Sequence, residues 1–76
     1  MKRLDKRSLN ISKDEIIGFA RIRNEALRLP WWLEFHRRLG VDRFVIVDND
    51  STDGSSEYLL SCQDVHVFWT QASYAE

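Results

Sequence analysis

The run Phe44-Val45-Ile46-Val47-Asp48-Asn49-Asp50-Ser51-Thr52-Asp53-Gly54 limits the possible folds more than any other part of this chain. Its β-branched residues favour a pleated strand, and an unbroken apolar run, rather than an alternating one, suits a strand covered on both faces of a parallel sheet. The run then stops abruptly in carboxylates, hydroxyls and a glycine. Ligands in open α/β sheets bind beyond the carboxyl ends of such strands. A carboxylate at that place can accept a hydrogen bond from a ribose hydroxyl or from the N–H of a base, so loop 48–54 is the first place to look for function.

The neighbouring segments supply the rest of a βαβ pattern. Glu15 to Ile22 reads as the first strand, with Gly18 and Ala20 leaving space for a close neighbour. Pro30 suits the first turn of a helix, and Gly40 suits the left-handed residue that ends one, which predicts a helix of about ten residues between them. Trp32, Leu33, His36 and Leu39 share its expected inner face; Glu34, Arg37 and Arg38 fall toward solvent. Arg43 to Val47 is the second strand, Ser55 to Leu60 a short helix and Val65 to Trp69 the third strand. The fold class expected is α/β: a partial Rossmann-like, three-layer β-α-β-α-β unit with parallel strands and right-handed crossovers, forming an incomplete domain. Residues 1–14 read as a solvated lead-in and 15–76 as the domain.

Composition removes several function classes. With 76 residues, 43% of them hydrophobic, the chain can build one small packed domain and is too apolar for intrinsic disorder. A formal net charge of −1 lacks the excess of Lys and Arg that binds phosphate backbones, which excludes a general nucleic-acid binder. The single cysteine, Cys62, allows no internal disulfide, and no Cys/His group has zinc spacing. No stretch approaches the roughly 20 apolar residues of a membrane span, and the basic start Met1 to Arg7 lacks the apolar region of a signal peptide. The location expected is cytoplasmic, or peripheral to the inner face of a membrane.

Three chemistries compete for the acidic loop. An EF-hand alignment that places Gly54 at the obligatory glycine puts Leu60 where a bidentate glutamate is needed, which argues against calcium. A dinucleotide site would use Asp48 on a ribose, but the turn after the first strand, Ile22-Arg23-Asn24-Glu25-Ala26-Leu27, has none of the glycines that let backbone approach a pyrophosphate. A mononucleotide site, with acids on base and ribose and a cation supplied from elsewhere, tolerates their absence.

Arg23-Asn24-Glu25, the helix from Leu29 to Asp42 and Val47-Asp48-Asn49-Asp50-Ser51-Thr52-Asp53-Gly54 together resemble the amino-terminal part of family 2 glycosyltransferases, and most nearly a bacterial subgroup with an R-N-E turn and a V-D-N-x-S-T-D-G loop. The resemblance covers roughly residues 15–69. It implies the nucleotide-diphosphosugar-binding half of a GT-A fold, with Asp48, Asp53 and Glu25 at the nucleotide and Asn24 and Arg23 beside it. It also implies an acceptor glycan, lipid or other hydroxyl compound, and a divalent cation, Mg or Mn, whose ligands are not in this chain. Asp48-Asn49-Asp50 spells D-x-D but sits in the nucleotide loop, before the place where the family carries its metal motif. Neither a catalytic base nor a metal motif is therefore expected here, and the chain is expected to be a truncated piece, inactive alone. The alternative is a noncatalytic α/β binding or interaction module.

Each of these residues also has a structural role open to it. Asp48 and Asp53 can cap the following helix, Asp50 can be solvated, and Glu25 can pair with Arg21 or Arg23. His36, His66, Trp31, Trp32 and Trp69 are expected to pack, since neither histidine has a partner nearby in sequence that suggests catalysis.

Overall fold

The computed structural model describes residues 2–5 and 12–71. Its elements in chain order are β1 (Lys2–Arg3), β2 (Ile17–Ile22), α1 (Leu29–Arg38), β3 (Arg43–Asp48), α2 (Ser55–Leu60) and β4 (Val65–Trp69). Pro30 does lie in the first turn of α1, and Gly40 takes the left-handed conformation beyond its end with φ 104°. The remainder of the expected lead-in, residues 6–11, and the tail 72–76 lie outside the described residues.

The sheet has the order β1-β4-β3-β2. β2 pairs with β3 and β3 with β4 in parallel, while β1 pairs with β4 antiparallel, so the four-stranded sheet is mixed. The antiparallel strand comes from within the stretch expected to be solvated. Its continuation, Asp5, is only 7% exposed and accepts a hydrogen bond from the backbone N–H of Val67 at 2.8 Å.

Both helices pack on one face of the sheet. Leu29 and Leu33 of α1 and Leu59 of α2 share a single core with Phe44, Ile46, Val65 and Val67. Register explains the selection, because Phe44 lies opposite Val65 and Ile46 opposite Val67 on the same side of adjacent strands. The described residues thus form two layers where three were expected. Strand order accounts for the difference: the path β2 to β3 to β4 steps in one direction, and crossovers of one hand that step one way bring their helices to the same face. As a result β3 alternates between buried Phe44 and Ile46 and half-buried Val45 and Val47, although its apolar run suggested cover on both sides. Phe19, on the uncovered face of β2, is 73% exposed.

Helix α1 buries a narrower stripe than its sequence suggests. Leu29 and Leu33 are buried and Trp32 and His36 half-buried, but Leu39 at the C-cap is 66% exposed. Close approach at β2 has a specific requirement, since a Cβ on Gly18 would stand 3.1 Å from Phe44 Cδ2 and 3.3 Å from Val41 Cγ1.

Candidate functional site

The parallel register brings Ile22 opposite Asp48 and Asp48 opposite Trp69, so the carboxyl ends of β2, β3 and β4 open at one rim. Two segments rise from that rim, the turn 23–28 after β2 and the loop 49–54 after β3. They are tied together by side chains rather than by a backbone ladder. Asn24 N–H donates to Ser51 Oγ at 2.8 Å, and Asn24 Oδ1 accepts from the backbone N–H of Thr52 at 2.7 Å. Glu25 N–H donates to Ser55 Oγ at 3.1 Å, and Ala26 N–H donates to Asp53 Oδ2 at 3.0 Å.

This lacing holds two non-glycine residues in the left-handed region, Asn24 with φ 53° and Asp50 with φ 58°. Asparagine and aspartate tolerate that conformation better than other residues with a Cβ. Gly54, with φ 89°, follows at the N-cap of α2.

The acids differ sharply in environment. Asp48 is fully buried; its Oδ1 accepts from the backbone N–H and hydroxyl of Ser51, and its Oδ2 from the hydroxyl of Ser56. Asp53 is exposed. Its Oδ1 accepts from the Ser55 hydroxyl at 2.6 Å and the Ser55 N–H at 3.1 Å. The Ser55 hydroxyl bond, followed by the Ala26 N–H, holds its carboxyl below the ordinary value of 3.8.

Among the expected site residues, Asn24, Glu25, Asp48 and Asp53 therefore meet at one rim, and Arg23 is exposed on the turn between them. Asp48 points into the loop and spends its acceptors on Ser51 and Ser56, whereas the first backbone N–H of α2, that of Ser55, goes to Asp53. Glu25 stands beside Arg28, with Nη1 to Oε1 at 3.8 Å. Ser55 and Ser56 were missed. The signal for them was the run Ser51-Thr52-Asp53-Gly54-Ser55-Ser56, in which hydroxyls flank an acid that needs donors.

Asp48 is not set up to hold a divalent cation. Both carboxylate oxygens of Asp48 face N–H and O–H donors, whereas a hard cation needs converging oxygen acceptors. Among the described residues, no group of three or more His, Cys, Asp or Glu side chains is arranged to hold a metal ion.

A second polar cluster lies on the open face, where sequence reasoning found no partner for His66. Its Nδ1 stands 3.0 Å from Asp5 Oδ2, and Arg43 Nη1 stands 3.4 Å from its Nε2. The Asp–His pair is separated by 61 residues in sequence, and His66 is 2% exposed. It anchors β1 against β4 and is closed to substrate. No helix among the described residues is long and apolar enough to cross a membrane.

No family model matches the chain, and no solved structure matches it. Two plant proteins do. A glycosyltransferase family 92 protein of Ricinus communis is 38% identical over 68 residues, covering 87% of this chain and 12% of that protein. A glycosyltransferase family 92 protein of Oryza sativa subsp. japonica is 47% identical over 38 residues, covering 50% of this chain and 6% of that protein. The chain is similar to a short part of glycosyltransferases. The motif resemblance pointed to family 2 and to a bacterial subgroup; these relatives are named family 92 and come from plants, so the support is for the glycosyltransferase class in general. Short turn and loop motifs carry the geometry of a strand end more than the identity of a family.

Proposed function

We propose that the chain is the donor-binding part of a GT-A-like glycosyltransferase, taking a nucleotide-diphosphosugar at the rim where turn 23–28 meets loop 49–54. The observation that carries this reading is the lacing of Asn24, Glu25 and Ala26 to Ser51, Thr52, Asp53 and Ser55. It sets acids and amides from two parallel strand ends into one fixed surface, at the place where α/β sheets bind ligands. The similarity to one family 92 protein over 87% of the chain adds the transferase class.

The exposed groups divide the work. Asp53, kept ionised by its hydrogen bonds, accepts a ribose hydroxyl or base N–H; Glu25 faces the same rim; Arg23 supplies positive charge toward the diphosphate. Asp48 is a positioning residue that holds Ser51 and Ser56, and through Ser51 the Asn24 turn. No residue of this chain is assigned the base or the cation site, so the chain alone is expected to bind donor without transferring sugar.

Titration of the 15N-labelled chain with UDP, GDP and dTDP tests the reading. Saturable amide shifts at Asn24, Glu25, Ala26 and Asp53 are expected for at least one nucleotide. A folded chain that responds to none of them refutes donor binding and favours a noncatalytic interaction module.

A further inference from the structure

A cleft of about 220 Å³ is lined by the end of β2, turn 23–28 and the first turn of α1. Ala20, Ile22, Leu29, Trp31 and Trp32 form its apolar lining, and Arg21, Glu25 and Arg28 its polar side. Trp31 is 66% exposed, and its indole stacks on Phe35 with ring centroids 5.4 Å apart and planes inclined by 14°. Phe35 thus fixes the orientation of an aromatic surface that the core does not use.

From this juxtaposition of an oriented indole, a carboxylate and a guanidinium we infer that the cleft binds one pyranose ring of a glycan. The inference rests on the glycosyltransferase reading and adds a sugar subsite to it. Three features select the ligand class. The volume is below the ~300–1,000 Å³ of sites for drug-sized molecules, which limits the occupant to about one ring. An aromatic face with adjacent polar groups suits a molecule whose ring has an apolar C–H face and a polar edge. Glu25 and Arg28 are 3.8 Å apart, too long for a hydrogen bond between them, and a carboxylate acceptor beside guanidinium donors suits hydroxyls, which both donate and accept.

Two-dimensional NMR of the full chain tests the site, with the indole N–H resonances and the amides of Ala20 and Ile22 as reporters. Methyl α-D-glucopyranoside and methyl β-D-galactopyranoside represent a free acceptor sugar; UDP-glucose and UDP-galactose represent the sugar of a donor. A saturable shift at these reporters is expected with at least one of the four. It should weaken at least tenfold in Trp31→Ala, a truncation at an exposed side chain, and at least threefold in Arg28→Ala. A response to methyl glycosides assigns the cleft to the acceptor, and a response to the UDP-sugars alone assigns it to the donor's sugar.

No shift at the reporters with any of the four, or shifts unchanged in Trp31→Ala, would overturn the inference. Plain UDP separates the two readings. Loop shifts with UDP and a silent cleft leave donor binding standing and remove the sugar subsite. Cleft shifts with methyl glycosides and a loop silent to all nucleotides do the reverse.

Discussion

Replacing Asp48 with alanine tests whether the buried acid is the organiser of the rim. The side chain is fully buried and accepts three hydrogen bonds, from Ser51 N–H, the Ser51 hydroxyl and the Ser56 hydroxyl. Hydrogen bonds to a charged group contribute about 1.5–3 kcal/mol each. Their simple sum overstates the loss, because Ser51 and Ser56 are half-buried and their hydroxyls can rotate toward water. The Ser51 amide cannot rotate away, and the β3 terminus loses a packed side chain. An overall cost of about 3–5 kcal/mol follows, from an amide left without an acceptor at ~1–3 kcal/mol together with the lost hydroxyl bonds and packing.

At ~0.05–0.15 kcal/mol per residue, 76 residues give a total stability of roughly 4–11 kcal/mol, so the variant loses about a quarter of it or more. With a urea slope of about 1 kcal/mol/M, the unfolding midpoint should fall by roughly 3–5 M, or the chain should be unfolded without denaturant. Asp48→Asn keeps one acceptor for Ser51 and should cost less than half as much. Equilibrium urea unfolding followed by tryptophan fluorescence measures both. A loss under about 1 kcal/mol for Asp48→Ala would show that the acid is not held for structure, and would return it to the set of direct ligand contacts.

Ser55→Ala removes the main cause of the lowered Asp53 carboxyl value, so an NMR pH titration should find Asp53 titrating higher in the variant than in the parent. The sign for stability follows: because the folded value lies below 3.8, the contribution of Asp53 is complete above the unfolded value and is lost as pH falls through the folded one. An Asp53 midpoint identical in the two proteins would contradict this. Gly18→Ala should destabilise by about 1–3 kcal/mol in urea unfolding, because its Cβ meets the fully buried Phe44 ring at 3.1 Å; a neutral or stabilising result would show that β2 shifts freely. Leu33→Ala, at a fully buried position shared by α1 and the sheet, should cost about 2–5 kcal/mol, and Phe35→Ala on the exposed side much less. Equal losses would mean that α1 is packed on the wrong face.

Much of the local structure was legible in the chain. The strand ending at Asp48, the helix between Pro30 and Gly40, the helix over 55–60 and the strand over 65–69 each carry their own signal in branched residues, caps and turn formers. The rim could also be expected, because parallel strands joined by helices must place their carboxyl ends together.

Contacts between segments distant in sequence could not be read in the same way. Leu39 has the spacing of a buried residue but lies exposed beyond the last turn of α1, where the chain is already turning toward β3. Asp5 gives no local sign that it will meet His66 across 61 residues. Nothing in the run from Asp48 to Ser56 says which acid turns inward: Asp48 and Asp53 are both followed by hydroxyls, and only the lacing to Asn24, Glu25 and Ala26 distinguishes them.

Apart from β1, the chain by itself determined where strands and helices lie, since propensity, capping and hydrophobic period act over a few neighbouring residues. The tertiary structure decided which side of the sheet is covered, which carboxylate is buried and which stays exposed, and where Trp31 is left facing a cleft. Those outcomes depend on strand order and on donors brought together from separate segments, and neither is encoded in any one stretch of sequence.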